Sequence, residues 1–417
     1  GCLLTGQTAL THGVFVNDVP VRPAGPSIAD AFRDAGYATA YIGKWHVDGQ
    51  GRSNYIPPDR RLGFEHWQVL ECTHDYNNSP YYAADSSEAI TWDGYDAVAQ
   101  TDAAIAYIEE RDAPRPFLLM LSWGPPHAPY HTAPDEYRAM YDAEEVALPP
   151  NVPDEVADAA AHDLAGYYAH CTALDDCVGR LLSTLDAQGI ADDTIFVFTS
   201  DHGDMIGSQG LWKKQNPWDE SIRIPFLLRY PALLGRDGRL VADTTIDVLD
   251  MMPTLLGLAG AEIPSSVEGR DFSGYLRGGE APSDGATVIA CYHPFGQWRS
   301  DEGSPGARAY LDAITDDDAR EAEHDRLAGR EYRGLRTTRQ TYVRSLAGPW
   351  LLYDNMADPH QLQNLVDRPE HAELARSLDD ALSAHLAERG DEFLPSAAYL
   401  AEWGYDVDEY GTVPYSN

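Results

Sequence analysis

The stretch TIFVFTSDHGD, residues 194–204, constrains the fold more than any other part of the chain. An apolar, β-branched run without a polar face predicts a strand buried on both sides, and such strands belong to sheets covered by helices. PFLLMLSW (116–123) and IPFLLRYP (224–231) have the same character. Helical apolar spacing separates them in TDAAIAYIEE (101–110), in HDLAGYYAHCTALDDCVGRLLSTLDAQG (162–189, closed by Gly189) and in IDVLDMMPTLLGLAG, which ends at Gly260. The alternation predicts an α/β fold, a mostly parallel sheet sandwiched by helices. Composition turns rich in Gly, Ser and Asp near 270–285. Beyond it TYVRSL and PWLLYDN read as strands and PEHAELARSLDDALSAHLAERG as a terminal helix. The expected organisation is a larger α/β domain over 1–282 and a smaller C-terminal α+β subdomain over 283–417.

In an open α/β sheet, ligands bind beyond the carboxyl ends of the strands. The polar residues placed there are Asp201 and His202 after TIFVFTS, His127 in GPPHAPY after PFLLMLSW, and Lys44 and His46 in GYATAYIGKWH. Lys44 and His46 stand two apart, on one side of a segment read as extended. Adjacent carboxylate and imidazole suit a divalent metal.

Charge sharpens this reading. The chain has 30 basic and 67 acidic residues, a net charge of −37, and only three lysines: Lys44, Lys213 and Lys214. So acidic a surface argues against nucleic acid or an anionic membrane as partner, and no apolar run is long enough to span a bilayer. The acid-rich, lysine-poor balance suits a concentrated-salt habitat, and equally a codon usage that favours Arg. Five scattered cysteines form no CxxC and no disulfide framework, which suits a reducing compartment. In such a chain, lysines kept beside strand ends point to a compact anion such as sulfate or phosphate, where Arg's planar fork does not substitute.

These segments together resemble the type I sulfatases of the alkaline-phosphatase-like superfamily. GYATAYIGKWH is similar to the signature G-Y-x-T-A-x-x-G-K-W-H, and GPPHAPY to P-P-H-x-P-Y. SDHGDMIGSQGLWKKQNPWDESIRIP resembles the metal-and-lysine block, and YDNMADPHQLQNL the C-terminal L-Y-D-L-x-x-D-P-x-E-x-x-N-L. The resemblance implies hydrolysis of a sulfate ester through a formylglycine nucleophile and a calcium ion, with magnesium as the alternative ion. It implies Asp201 and His202 as metal ligands, Lys44 bridging nucleophile and sulfate, and His46 as the base that breaks down the sulfated intermediate. His127 and Lys214 would grip the sulfate, His127 also protonating the leaving alcohol. GCLLTGQTALTHGV resembles the segment following C-x-P-S-R, which would place the modified cysteine and an acidic metal-ligand pair upstream of Gly1, leave the polypeptide as it stands inactive, and make Cys2 a small core residue. Two polar loops, ECTHDYNNSPYY (71–82) with His74 and ACYHPFGQW (290–298) with His293, are the expected substrate contacts, and a carbohydrate sulfate is the favoured substrate. A phosphonate or phosphate ester hydrolase of the same superfamily, or an inactive remnant, are the alternatives.

Overall fold

The computed structural model describes residues 1–417 except 113, 237–243, 295–313, 317–319, 321–328, 409–410 and 415–417. Strands β1 (Ala38–Lys44), β2 (His66–Leu70), β3 (Pro80–Ala83), β4 (Ala89–Thr91) and β5 (Phe117–Ser122) form one sheet in the order β4-β3-β2-β1-β5. β1 runs parallel to β2 and β5, while the β2-β3 and β3-β4 pairings are antiparallel. The sheet is therefore mixed, and its parallel part carries the strand ends singled out above.

Helices cover both faces, as the two-sided apolar strands require. Helices α1 (Ile28–Asp34), α2 (Asp96–Glu110), α3 (Ala157–Ala187) and α4 (Val248–Ala259) flank the sheet. On one face Tyr41, Leu118 and Met120 pack with Ile28 and Phe32 of α1 and with Met252 and Leu256 of α4. On the other, Ile42, Phe117, Leu119 and Leu121 meet Ala104 and Ile108 of α2 and Leu181 and Leu185 of α3. α1 begins with a reciprocal Ser27–Asp30 capping box, and α4 with an Asp247–Asp250 one.

β6 (Phe196–Thr199) pairs with β7 (Phe226–Arg229) antiparallel, as a two-stranded sheet of its own. This differs from the expected continuous sheet. Among the described residues no strand pairs with the outer edge of β5 or of β6, although Phe196 packs on the same cluster as Phe117. Both runs are consequently only half-buried, where their composition predicts full burial.

The C-terminal sheet is antiparallel, β11-β10-β9-β8, from β8 (Ala286–Cys291), β9 (Tyr332–Thr337), β10 (Gln340–Ser345) and β11 (Gly348–Asp354). Helix α5 (Ala372–Glu388) packs Leu382 and Leu386 against Leu335, Tyr342 and Leu352. It is not the last helix, since α6 (Ser396–Trp403) follows it. The other face of the sheet buries Met205, Leu211 and Trp218 from the SDHGD–GLWKK segment. No described helix is long and apolar enough to cross a membrane, and all five cysteines are free.

Candidate active site

β1, β2 and β5 point the same way, so Lys44, the Glu71–His74 turn and the Gly124–His127 turn emerge along one edge. Gly43 makes this edge close-packed. A Cβ there would stand 2.1 Å from the Ser122 carbonyl oxygen, so only glycine lets β5 lie against β1 next to Lys44. Gly203 has the same role after β6, because its Cβ would fall 1.9 Å from the Glu220 carbonyl oxygen. The extended segment ends at Lys44. His46 takes a left-handed φ of 54°, so the same-side expectation does not set its direction.

Lys214 Nζ lies 3.0 Å from His127 Nε2, and His127 Nδ1 donates to the Ala128 carbonyl at 2.9 Å. With Nδ1 donating, Nε2 holds the lone pair that accepts from the ammonium. His74 stacks on His127 with ring centroids 5.0 Å apart and 7° between planes, and His202 meets His127 edge-on at 5.8 Å. Three histidines and a lysine from three separate segments thus converge.

His202 Nδ1 donates to the Gly203 carbonyl at 2.6 Å, leaving Nε2 with its lone pair 3.7 Å from Asp201 Oδ2. The Asp201 side chain keeps 80% of its surface open to solvent, with the charged groups of the pocket around it. Burial disfavours its charge, but His202, Lys44 and Lys214 outweigh that and hold Asp201 well below the usual carboxylate range. An ionised carboxylate beside an imidazole lone pair fits two positions of a metal site. Among the described residues, no group of three or more His, Cys, Asp or Glu is gathered to hold an ion.

The imidazoles are tuned neutral. Burial, then Lys214 and Lys44, push His127 well down; burial, then Lys44, Arg52, Lys214 and Lys213, take His74 down to about 3. Lys214 itself falls to about 8, through burial and the repulsion of Lys44. Burial is the largest cause in each case and the neighbouring cations the second, and a bound anion would oppose that second contribution.

His46 has partners that strand-end reasoning missed. Its Nε2 donates to Asp18 Oδ1 at 3.1 Å, and Arg52 holds Asp18 Oδ2 at 3.3 Å. The carboxylate fixes the ring and leaves Nδ1 as the basic nitrogen. Burial, partly opposed by Asp18, takes His46 down to about 4. Buried Glu71 shapes the same turn, accepting from the Asp48 and Gly49 amides at 2.9 Å each, while the His46 amide donates to its carbonyl at 2.8 Å. Asp18 comes from a loop before α1, where no periodicity marks it.

The lysine loop is held from two sides. Asp204 accepts from the Lys213 amide at 2.8 Å and from the Tyr130 hydroxyl at 2.7 Å, fixing Lys213 at φ 62°. Asp219 receives a fork of two bonds from Arg336 of β9, at 2.8 and 2.9 Å. His293 does not join the cluster. Both its nitrogens are used elsewhere, with Ser396 Oγ at 2.5 Å and the Gly411 carbonyl at 2.9 Å, and residues 295–298 of its loop lie outside those described. Cys2 is half-buried, its Sγ 3.3 Å from His12 Nε2, and burial raises its thiol.

Comparison with known proteins agrees with this geometry. The Sulfatase family model matches residues 1–261. The ulvan-active sulfatase of Formosa agariphila is 38% identical over 406 residues, covering 97% of this chain and 74% of that protein. The endo-4-O-sulfatase of Bacteroides thetaiotaomicron is 28% identical over 436 residues, 94% of this chain and 80% of its own. A solved Bacteroides fragilis structure assigned as the sulfatase yidJ superposes with a TM-score of 0.78 at 26% identity, over 95% of this chain and 86% of that one. With lysines, histidines and the Asp201–His202 pair gathered at the strand ends, the chain belongs to the sulfatase family.

Proposed function

We propose that this sulfuric ester hydrolase removes sulfate from a carbohydrate, and that Lys44, His46, His74, His127 and Lys214 form its sulfate pocket. The observation that carries the reading is the 3.0 Å Lys214–His127 contact, with His74 stacked against it and Lys44 close enough to depress all three imidazoles of the pocket. The names of the relatives favour a sugar as the alcohol. Sulfatases as a family use a formylglycine and a metal ion. Here Asp201 and His202 would hold calcium, together with ligands outside the described cluster, and the bound ion would supply charge stabilisation to the sulfate oxygens.

The chain's own residues divide the remaining work. Lys44 places fixed positive charge beside the non-bridging oxygens, where charge grows as the ester bond breaks, and Lys214 adds its own until its proton is handed on. The proton between Lys214 Nζ and His127 Nε2 lies where a leaving oxygen can take it, an acid role worth about 10²–10⁴-fold. His46 Nδ1, oriented through Asp18, is the basic nitrogen that would take a proton in the pocket. His74 walls the pocket by stacking on His127 and keeps that ring from turning.

The test is hydrolysis by the full-length protein, with calcium, of 4-nitrophenyl sulfate, 4-nitrophenyl phosphate and a phenylphosphonate ester. Sulfate should turn over fastest, and Lys214→Ala should lose about 10²–10³-fold in kcat. Preference for the phosphonate or phosphate ester would overturn the assignment. Release of sulfate from sulfated oligosaccharides, and not from choline sulfate, checks the sugar.

A further inference from the structure

A cavity of about 140 Å³ lies between the lysine loop and the C-terminal sheet, and the sulfate pocket makes no use of it. Gln215 and Asn216, the two residues after Lys214, form one wall together with Trp218; Arg330, Tyr332 and Trp350 form the other. Asn216 also donates through Nδ2 to the Lys214 carbonyl at 3.1 Å, so this wall and the sulfate-gripping lysine are one piece of chain. Trp218 meets Trp350 edge to face, with centroids 5.8 Å apart, and the Arg330 guanidinium lies 4.3 Å over the Trp350 ring.

We propose that this cavity is a subsite for a second sugar ring bearing an anionic group, next to the sulfated unit; it rests on the carbohydrate-sulfatase reading above. Aromatic walls with a single guanidinium among them are the chemistry of a small polar-ligand site. At ~30 Å³ per water the space holds about five waters, room for the anionic group and part of one ring and not for a longer chain. Charge selects the acidic sugar. A guanidinium stacked on an aromatic face keeps its N–H edge for a planar or tetrahedral anion. In a chain with 67 acidic residues, none of those described forms an ion pair with Arg330. A uronate carboxylate and a second sulfate share this chemistry. The enzyme would thus favour polyanionic oligosaccharides over isolated sulfated monosaccharides.

The test is binding of methyl glucuronide, glucose 6-sulfate and methyl glucoside to the full-length protein, followed by saturation-transfer NMR, with 4-nitrophenyl sulfate hydrolysis in parallel. At least one acidic sugar should bind more tightly than methyl glucoside, and Arg330→Gln should weaken it at least fivefold while methyl glucoside and aryl sulfate turnover stay unchanged. The sugar that responds tells carboxylate from sulfate. Acidic sugars that bind no better than methyl glucoside, or bind Arg330→Gln as well as wild type, overturn the subsite. Absence of aryl sulfate turnover in both proteins, with Arg330-dependent binding intact, would instead count against the sulfatase reading.

Discussion

Lys44 could be read from its residue type and its place at a strand end, because the composition of the chain makes any lysine conspicuous, whereas Lys214 was told from Lys213 only by the family resemblance. The argument predicts that Lys44→Arg, which keeps the charge, lowers kcat about 10²-fold or more, since a fork cannot occupy the position of a point charge between nucleophile and sulfate. Steady-state turnover of an aryl sulfate checks this, and near-normal rates would sink it. Asp18, Arg52 and Glu71 were not legible. Their roles depend on a loop folding back under His46, and nothing local in NDVPV or GRSNY announces that contact. Glu71 is nevertheless thermodynamically prominent. Burial is the main reason its carboxyl rises to about 7, with Asp48 and Asp18 adding to it against two backbone bonds. A raised folded-state pKa stabilises below the unfolded value of 4.5, and that contribution is lost as pH rises through 7. The loss is of the order of 3 kcal/mol. Glu71→Gln should therefore gain in melting temperature over wild type as pH goes from 5 to 8, and a pH-independent difference between the two would refute it.

At the scale of elements, β8 and β9 were not among the strands read from apolar periodicity, whereas β5, α2, α3, α4 and two of the C-terminal strands, β10 and β11, match what it dictates. The β6-β7 ribbon does not, because an apolar run says that a strand is buried and not which strand lies beside it. Also hidden was how the SDHGD–GLWKK segment is locked to the C-terminal sheet. Its clamp, Arg336 to Asp219, joins residues 117 apart in sequence and leaves both side chains about 15% exposed. Breaking one partner of a largely buried pair costs more than a surface bridge, though less than the 3–5 kcal/mol of full burial. Asp219→Ala should therefore destabilise by about 1–3 kcal/mol and also lower kcat, because Lys214 rides on the loop that it anchors. Denaturant melts and turnover measured side by side check this. A stability loss with kcat untouched would show that the clamp supports the fold alone.

For the whole molecule, a net charge of −37 on 417 residues means sustained self-repulsion in dilute buffer. Raising ionic strength from 0.1 to 1 M shortens the screening length from ~10 to ~3 Å, so the melting temperature should climb by several degrees over that range. A flat or falling dependence in differential scanning calorimetry would mean that local ion pairs, which salt weakens, outweigh the global repulsion. That same charge counters another property of the fold. Among the described residues no strand pairs with the outer edge of β5 or of β6, and both strands are apolar and half-exposed. Such an edge is a template on which another chain can add a strand. Mutual repulsion keeps neighbouring copies apart at low salt; the conditions that steady each molecule would remove that guard. Concentrated salt should make this polypeptide harder to melt and, once partly opened, quicker to form fibres.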